Sequence, residues 1–109
     1  MIRVTVFQDS DEVYTGIELA GHAGFGEYGQ DIVCAAASAL VLNMANSVEQ
    51  FTEDPFEGSM EEETGSFSFH FTSIIGLESK LLMNSLVLGL KNVESEYGKQ
   101  YIKIQFEEV

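Results

Sequence analysis

A chain of 109 residues, 45% hydrophobic and 21% charged, has the length of one domain and enough apolar matter for a core, which excludes a disordered chain. Eighteen acidic residues against five basic ones leave a net charge of −13. That field repels phosphate backbones, so direct nucleic-acid binding is not expected, and it attracts basic proteins. A single cysteine makes no internal disulfide, no stretch reads as a membrane span, and MIRVTVF lacks a signal peptide's long apolar region. A cytoplasmic protein without membrane contact is the expectation.

In chain order, Met1 to Gln8 alternates as a strand, with Ile2, Val4 and Val6 on one face. Asp9 to Glu12 reads as a turn, and Val13 to Ala20 as a second strand antiparallel to the first. Gly21 ends it and delivers His22 at its edge. Ala23 to Gln30 reads as a mobile loop, since Gly24, Gly26 and Gly29 free the backbone. A helix is expected from Asp31 to about Phe51, with Val33, Ala37, Leu40, Val41, Met44, Val48 and Phe51 facing the sheet. Pro55 follows its end. Phe56 to Met60 is a short strand, Glu61 to Gly65 an acidic turn, and Ser66 to Phe71 a strand with Phe67, Phe69 and Phe71 on one side and His70 on the other. A second helix, capped by Thr72 or Ser73, runs to about Tyr97, with Gly98 just past its end, and YIKIQF closes the chain as a strand. The whole is an α+β domain, a mainly antiparallel sheet with two helices packed on it.

The chemistry concentrates between Gly21 and Ser38, GHAGFGEYGQDIVCAAAS, which holds the only cysteine and one of the two histidines. Asp31 at the helix start places Cys34 in the first turn, where the helix dipole favours thiolate. A histidine across a glycine-rich loop is a general-base candidate for that thiol. Asp31 has two readings, N-cap of the helix or third member orienting His22. Ser38, four residues after Cys34, shares its helix face as a donor or as a plain small polar residue. His70 is the rival base, set on an alternating strand that points it to solvent or to the rim.

Other chemistries fit less well. Gly24-Phe25-Gly26-Glu27-Tyr28-Gly29 matches G-x-G-x-x-G, but its strand sits in a hairpin and Asp31 would face the pyrophosphate. One cysteine without C-x-x-C or H-x-x-x-H spacing argues against a zinc site. No metal and no cofactor are expected.

The pairing of Gly21-His22-Ala23 with Asp31-Ile32-Val33-Cys34-Ala35-Ala36-Ala37-Ser38 across a glycine-containing spacer resembles the signature of the ribosomal-processing cysteine proteases called Prp. The similarity spans nearly the whole chain. It implies a small mixed fold, a catalytic pair of His22 and Cys34, and a homodimer. It also implies a basic substrate, the amino-terminal extension of the large-subunit ribosomal protein L twenty-seven, removed in ribosome assembly. The alternative is a non-enzymatic acidic ribosome-associated binding protein with Cys34 as a buried hydrophobe. Leu81 to Leu90 is apolar over more than one helix face, a surplus that self-association would cover.

Overall fold

The structure is a computed structural model that describes residues 1–21, 28–61 and 63–109, residues 28–31 by their backbone alone. Alternating apolar residues make five strands and longer apolar periods make two helices: β1 (Ile2–Gln8), β2 (Tyr14–Ala20), α1 (Tyr28–Phe51), β3 (Phe56–Glu61), β4 (Ser66–Phe71), α2 (Leu77–Tyr97) and β5 (Ile102–Glu108). The strands form one sheet in the order β3-β4-β2-β1-β5. Three of its pairings are antiparallel, and β5 runs parallel to β1, from Ile2 opposite Ile102 to Gln8 opposite Glu108. The mixed sheet with two helices is the fold expected.

The turn between β1 and β2 is held by Asp9, whose Oδ1 accepts the amides of Asp11 at 2.9 Å and Val13 at 3.0 Å. Such self-capping is why aspartate favours turns. The inward residues Ile2, Val4, Val6, Ile17, Leu19, Phe67, Phe69 and Ile102 meet Val33, Ala37, Val41, Met44 and Val48 of α1 and Met83, Leu86, Val87 and Leu90 of α2. Both helices therefore lie on one face of the sheet.

Three sequence expectations need correction. Phe51, placed with the sheet-facing residues, is 73% exposed, because the helix ends there and no strand lies beneath it. Neither Thr72 nor Ser73 caps α2: its N-cap is Gly76, which makes no side-chain cap, and the Gly76 amide is accepted by Asp54, a residue distant in sequence. Asp54 Oδ2 accepts the Gly76 amide at 3.1 Å and the hydroxyl of fully buried Ser79 at 2.5 Å. These two donors, the Ser79 hydroxyl first, hold the Asp54 carboxyl below its ordinary pKa. Third, Ile32–Phe51 is long and apolar enough to cross a membrane by length and composition. In this fold its apolar face packs on the sheet and on α2.

The end of α2 is as expected. Gly98 takes φ +103° and its amide reaches Glu94 O at 2.9 Å, a conformation that glycine adopts at little cost. Glu94 Oε2 also accepts the Ile104 amide at 2.8 Å, satisfying a donor on the end strand β5.

Candidate active site

Cys34 lies on α1 between two residues pinned in the core, Val33 and Ala37, both almost fully buried. It is itself half-buried against the core and is a free thiol. A thiol on a packed helix is held more firmly than one on a loop.

One turn further along, Ser38 is exposed. It lines a cleft of about 280 Å³ together with Leu19 at the end of β2, Val41 of α1, and Met60, Glu61 and Phe67 of the β3–β4 hairpin. Three segments distant in sequence thus meet one helical turn from the cysteine. Leu19 is three residues before His22, and Ser38 four after Cys34. The two flanks of the sequence motif therefore form walls of one cleft.

Gly21, which ends β2, has φ +100°, and a Cβ there would run into the Met1 carbonyl oxygen. Only glycine allows the chain to leave the sheet at this point without strain. His22, Gly24 and Gly26 lie outside the described residues, as does the side chain of Asp31.

The backbone of α1 corrects the expected helix start. The helix begins at Tyr28, so Gly29 belongs to it and not to the preceding loop, and Asp31 is not its N-cap. Cys34 stands in the second turn. Its amide falls within the i→i−4 ladder, and the dipole effect, which fades beyond the first turn, does not single it out. Glycine's poor helix propensity made Gly29 look like loop.

His70 is on the other side of the sheet. Phe67 and Phe69 of β4 point into the core while His70 points away, opposite Gly16 and 5.1 Å from the Phe7 ring. Its Nε2 lies 2.7 Å from Glu18 Oε2. The sheet separates it from Cys34.

The geometry is that of a small α+β domain whose single thiol stands one helical turn from a residue that lines a surface cleft. The family described as cysteine protease Prp matches residues 1–103, and the chain belongs to that family of ribosomal-processing cysteine proteases. A relative from Bacillus subtilis (strain 168), the ribosomal processing cysteine protease Prp, is 32% identical over an alignment of 103 residues that covers 89% of this chain and 90% of the relative. The crystal structure of the essential ribosomal processing protease Prp from Staphylococcus aureus with a substrate peptide superposes with a TM-score of 0.90 at 27% identity. It covers 98% of this chain and all of that one. The same enzyme with a covalently linked product peptide gives a TM-score of 0.88 at 28% identity, with the same coverage.

Sequence reasoning missed the cleft residues Met60, Glu61 and Phe67. Each had been assigned to a strand or a turn, and only the sheet order brings them against α1.

Proposed function

We propose that this chain, as a single protease domain, cleaves the amino-terminal extension from large-subunit ribosomal protein L twenty-seven in the cytoplasm, with Cys34 as nucleophile and His22 as base. The observation that carries this is the placement of the chain's only cysteine one helical turn from the cleft that Ser38 and Leu19 share.

His22 takes the thiol proton, and the Cys34 sulfur attacks the scissile carbonyl carbon. The C–N bond then breaks, the histidine gives its proton to the leaving amine, and a thioester remains on Cys34. Water, deprotonated by His22, attacks the thioester carbonyl. The C–S bond breaks, releasing the new carboxyl terminus and restoring the thiol. Peptides solved in complex with the Staphylococcus aureus relative, one of them covalently linked, support a covalent route. Asp31 and Ser38 support the pair, and Gly24 and Gly26 gate the entry of substrate. A charge of −13 draws a basic ribosomal protein and keeps the enzyme from binding nucleic acid directly. No cofactor takes part.

The deciding test is Cys34→Ala, assayed against the extended amino-terminal peptide of the ribosomal protein. Loss of cleavage by about three orders of magnitude or more, with the fold intact by circular dichroism, is expected. Cleavage at the wild-type rate refutes the assignment and returns the chain to the acidic binding-protein alternative.

A further inference from the structure

Both helices pack on one face of the sheet, and among the described residues nothing packs on the other. Cross-strand register aligns the side chains of that open face in rows. Gln105, Thr5, Glu18, Ser68 and Ser59 form one row across the five strands, and Glu107, Phe7, Gly16, His70 and Glu57 form the next. Glu18 is held in place by His70, whose Nε2 lies 2.7 Å from Glu18 Oε2. The ring has room there because it sits over Gly16, where a Cβ would run into it.

Charge divides this face. The basic residues of the chain are Arg3, Lys80, Lys91, Lys99 and Lys103, so residues 4–79 hold fourteen acids and no lysine or arginine. Arg3 on β1 and Lys103 on β5 stand opposite each other at one corner of the open face. The half made by β2, β4 and β3 carries Glu18, Glu57 and Glu61 and no such cation. In that half, short side chains leave a hollow of about 550 Å³, lined by Ala20, Ser59, Ser66 and Ser68 together with Glu18 and Glu61. Carboxylates and hydroxyl oxygens are acceptors that one ammonium or guanidinium group can satisfy several at a time.

We infer, on the reading that the substrate is a basic protein, that this acidic half of the open face docks a lysine- or arginine-bearing segment of that protein, distinct from the segment that is cut. Glu18 and Ser59 face away from α1, which carries Cys34, so the docked segment adds affinity without touching the chemistry. A second copy of this chain would bring its own charge of −13 against the same face. Phosphate backbones are repelled likewise, which leaves a basic protein as the occupant.

The double variant Glu18→Gln with Ser59→Lys tests the surface at two exposed positions, and glutamine keeps a partner for His70. Its control is Glu49→Gln with Gln50→Lys, the same change in net charge at two exposed positions near the end of α1. The probe is the mature ribosomal protein, fluorescently labelled and already without its extension, titrated with enzyme and read by fluorescence anisotropy. At low salt the first variant raises Kd by about tenfold, while the control stays within about twofold of wild type. High salt weakens wild-type binding and brings the three proteins together. Cleavage of a short peptide that spans the scissile bond and has no lysine or arginine stays within about twofold of wild type in both variants. An unchanged Kd in the first variant overturns the docking surface, and so does a wild type that does not bind the mature protein. Equal weakening by the control also overturns it, because net charge alone would then explain the attraction. A tenfold loss of short-peptide cleavage in the first variant refutes it by placing the hollow in the active site. Failure of the protease reading shows separately, as a Cys34→Ala enzyme that still cuts the short peptide.

Discussion

The outer face of α2 predicts a homodimer, and one pair of leucines can test it. Around the helix, Ser79, Met83, Leu86, Val87 and Leu90 are buried, while Leu77, Leu81 and Leu88 are 78%, 69% and 61% exposed. At about 100° per residue, the three exposed leucines fall within about 40° of one another, roughly opposite the buried set. Ile74, 97% exposed, precedes the row. Together these leave about three full aliphatic side chains in water per protomer. Burying them in both copies contributes roughly 9–18 kcal/mol at about 1.5–3 kcal/mol per side chain. The cost of association is about 4–15 kcal/mol, so a dissociation constant near the micromolar range, about −8 kcal/mol, is within reach. Leu88→Asp removes the Leu88 share from both copies, roughly 2–4 kcal/mol, and should weaken the dimer between about thirtyfold and several hundredfold. Leu86→Asp buries a charge among core residues instead, and should unfold the chain and not merely dissociate it. Sedimentation equilibrium at micromolar concentration, in low and high salt, reads both effects. Salt should tighten the dimer by screening the acidic charge. A wild-type monomer there, or a Leu88→Asp dimer as tight as the wild type, refutes the reasoning.

Other consequences are quickly checked. His70→Ala should leave peptide cleavage within about twofold of wild type, because the sheet lies between that ring and Cys34; a loss as large as that of Cys34→Ala would relocate the active site to the open face. Gly21→Ala should destabilise the fold by about 1–2 kcal/mol or more, from the positive φ and the Met1 carbonyl, seen as a fall in Tm of roughly 4–16 °C. The depressed Asp54 carboxyl contributes stability that is fully present above its ordinary value of 3.8 and is lost as pH falls through and below it. Asp54→Asn should therefore be less stable than wild type at neutral pH, and the two denaturation midpoints should converge in acid.

Short-range patterns made much of the fold legible. Alternation in Ile2, Val4 and Val6 placed β1 with its core face correct, and Pro55 marked the chain just past the end of α1. What stayed hidden depends on residues far apart. The parallel pairing of β5 with β1 is dictated by where α2 returns the chain, and a strand's side chains do not encode its direction. The acceptor for the α2 terminus is Asp54, 22 residues before Gly76, so a local search among Thr72 and Ser73 could not find it. Gly29 misled in the opposite sense, a helical residue of a type that ordinarily breaks helices. At the site, the glycine flank and the lone cysteine were visible in the sequence. The cleft was not, because β2, α1 and the β3–β4 hairpin each supply one wall of it.

The sheet order explains why those walls meet. α1 follows β2 directly, and β4 pairs with the free side of β2, carrying β3 to the end of the sheet. The residues leaving β2 and the hairpin tip are thereby brought to one edge of the molecule, with α1 packed above them. Val33, Ala37 and Val41 tie the helix into the core on either side of Cys34. The thiol is thus fixed on the rigid layer, while one wall of the cleft is a two-stranded edge whose outermost strand is exposed over most of its length. Substitutions along β3 can reshape that wall without disturbing the core that positions the cysteine. Under the proposed function, changes in peptide preference are expected to map to Met60 and Glu61 of that wall, and changes in turnover to the residues around Cys34.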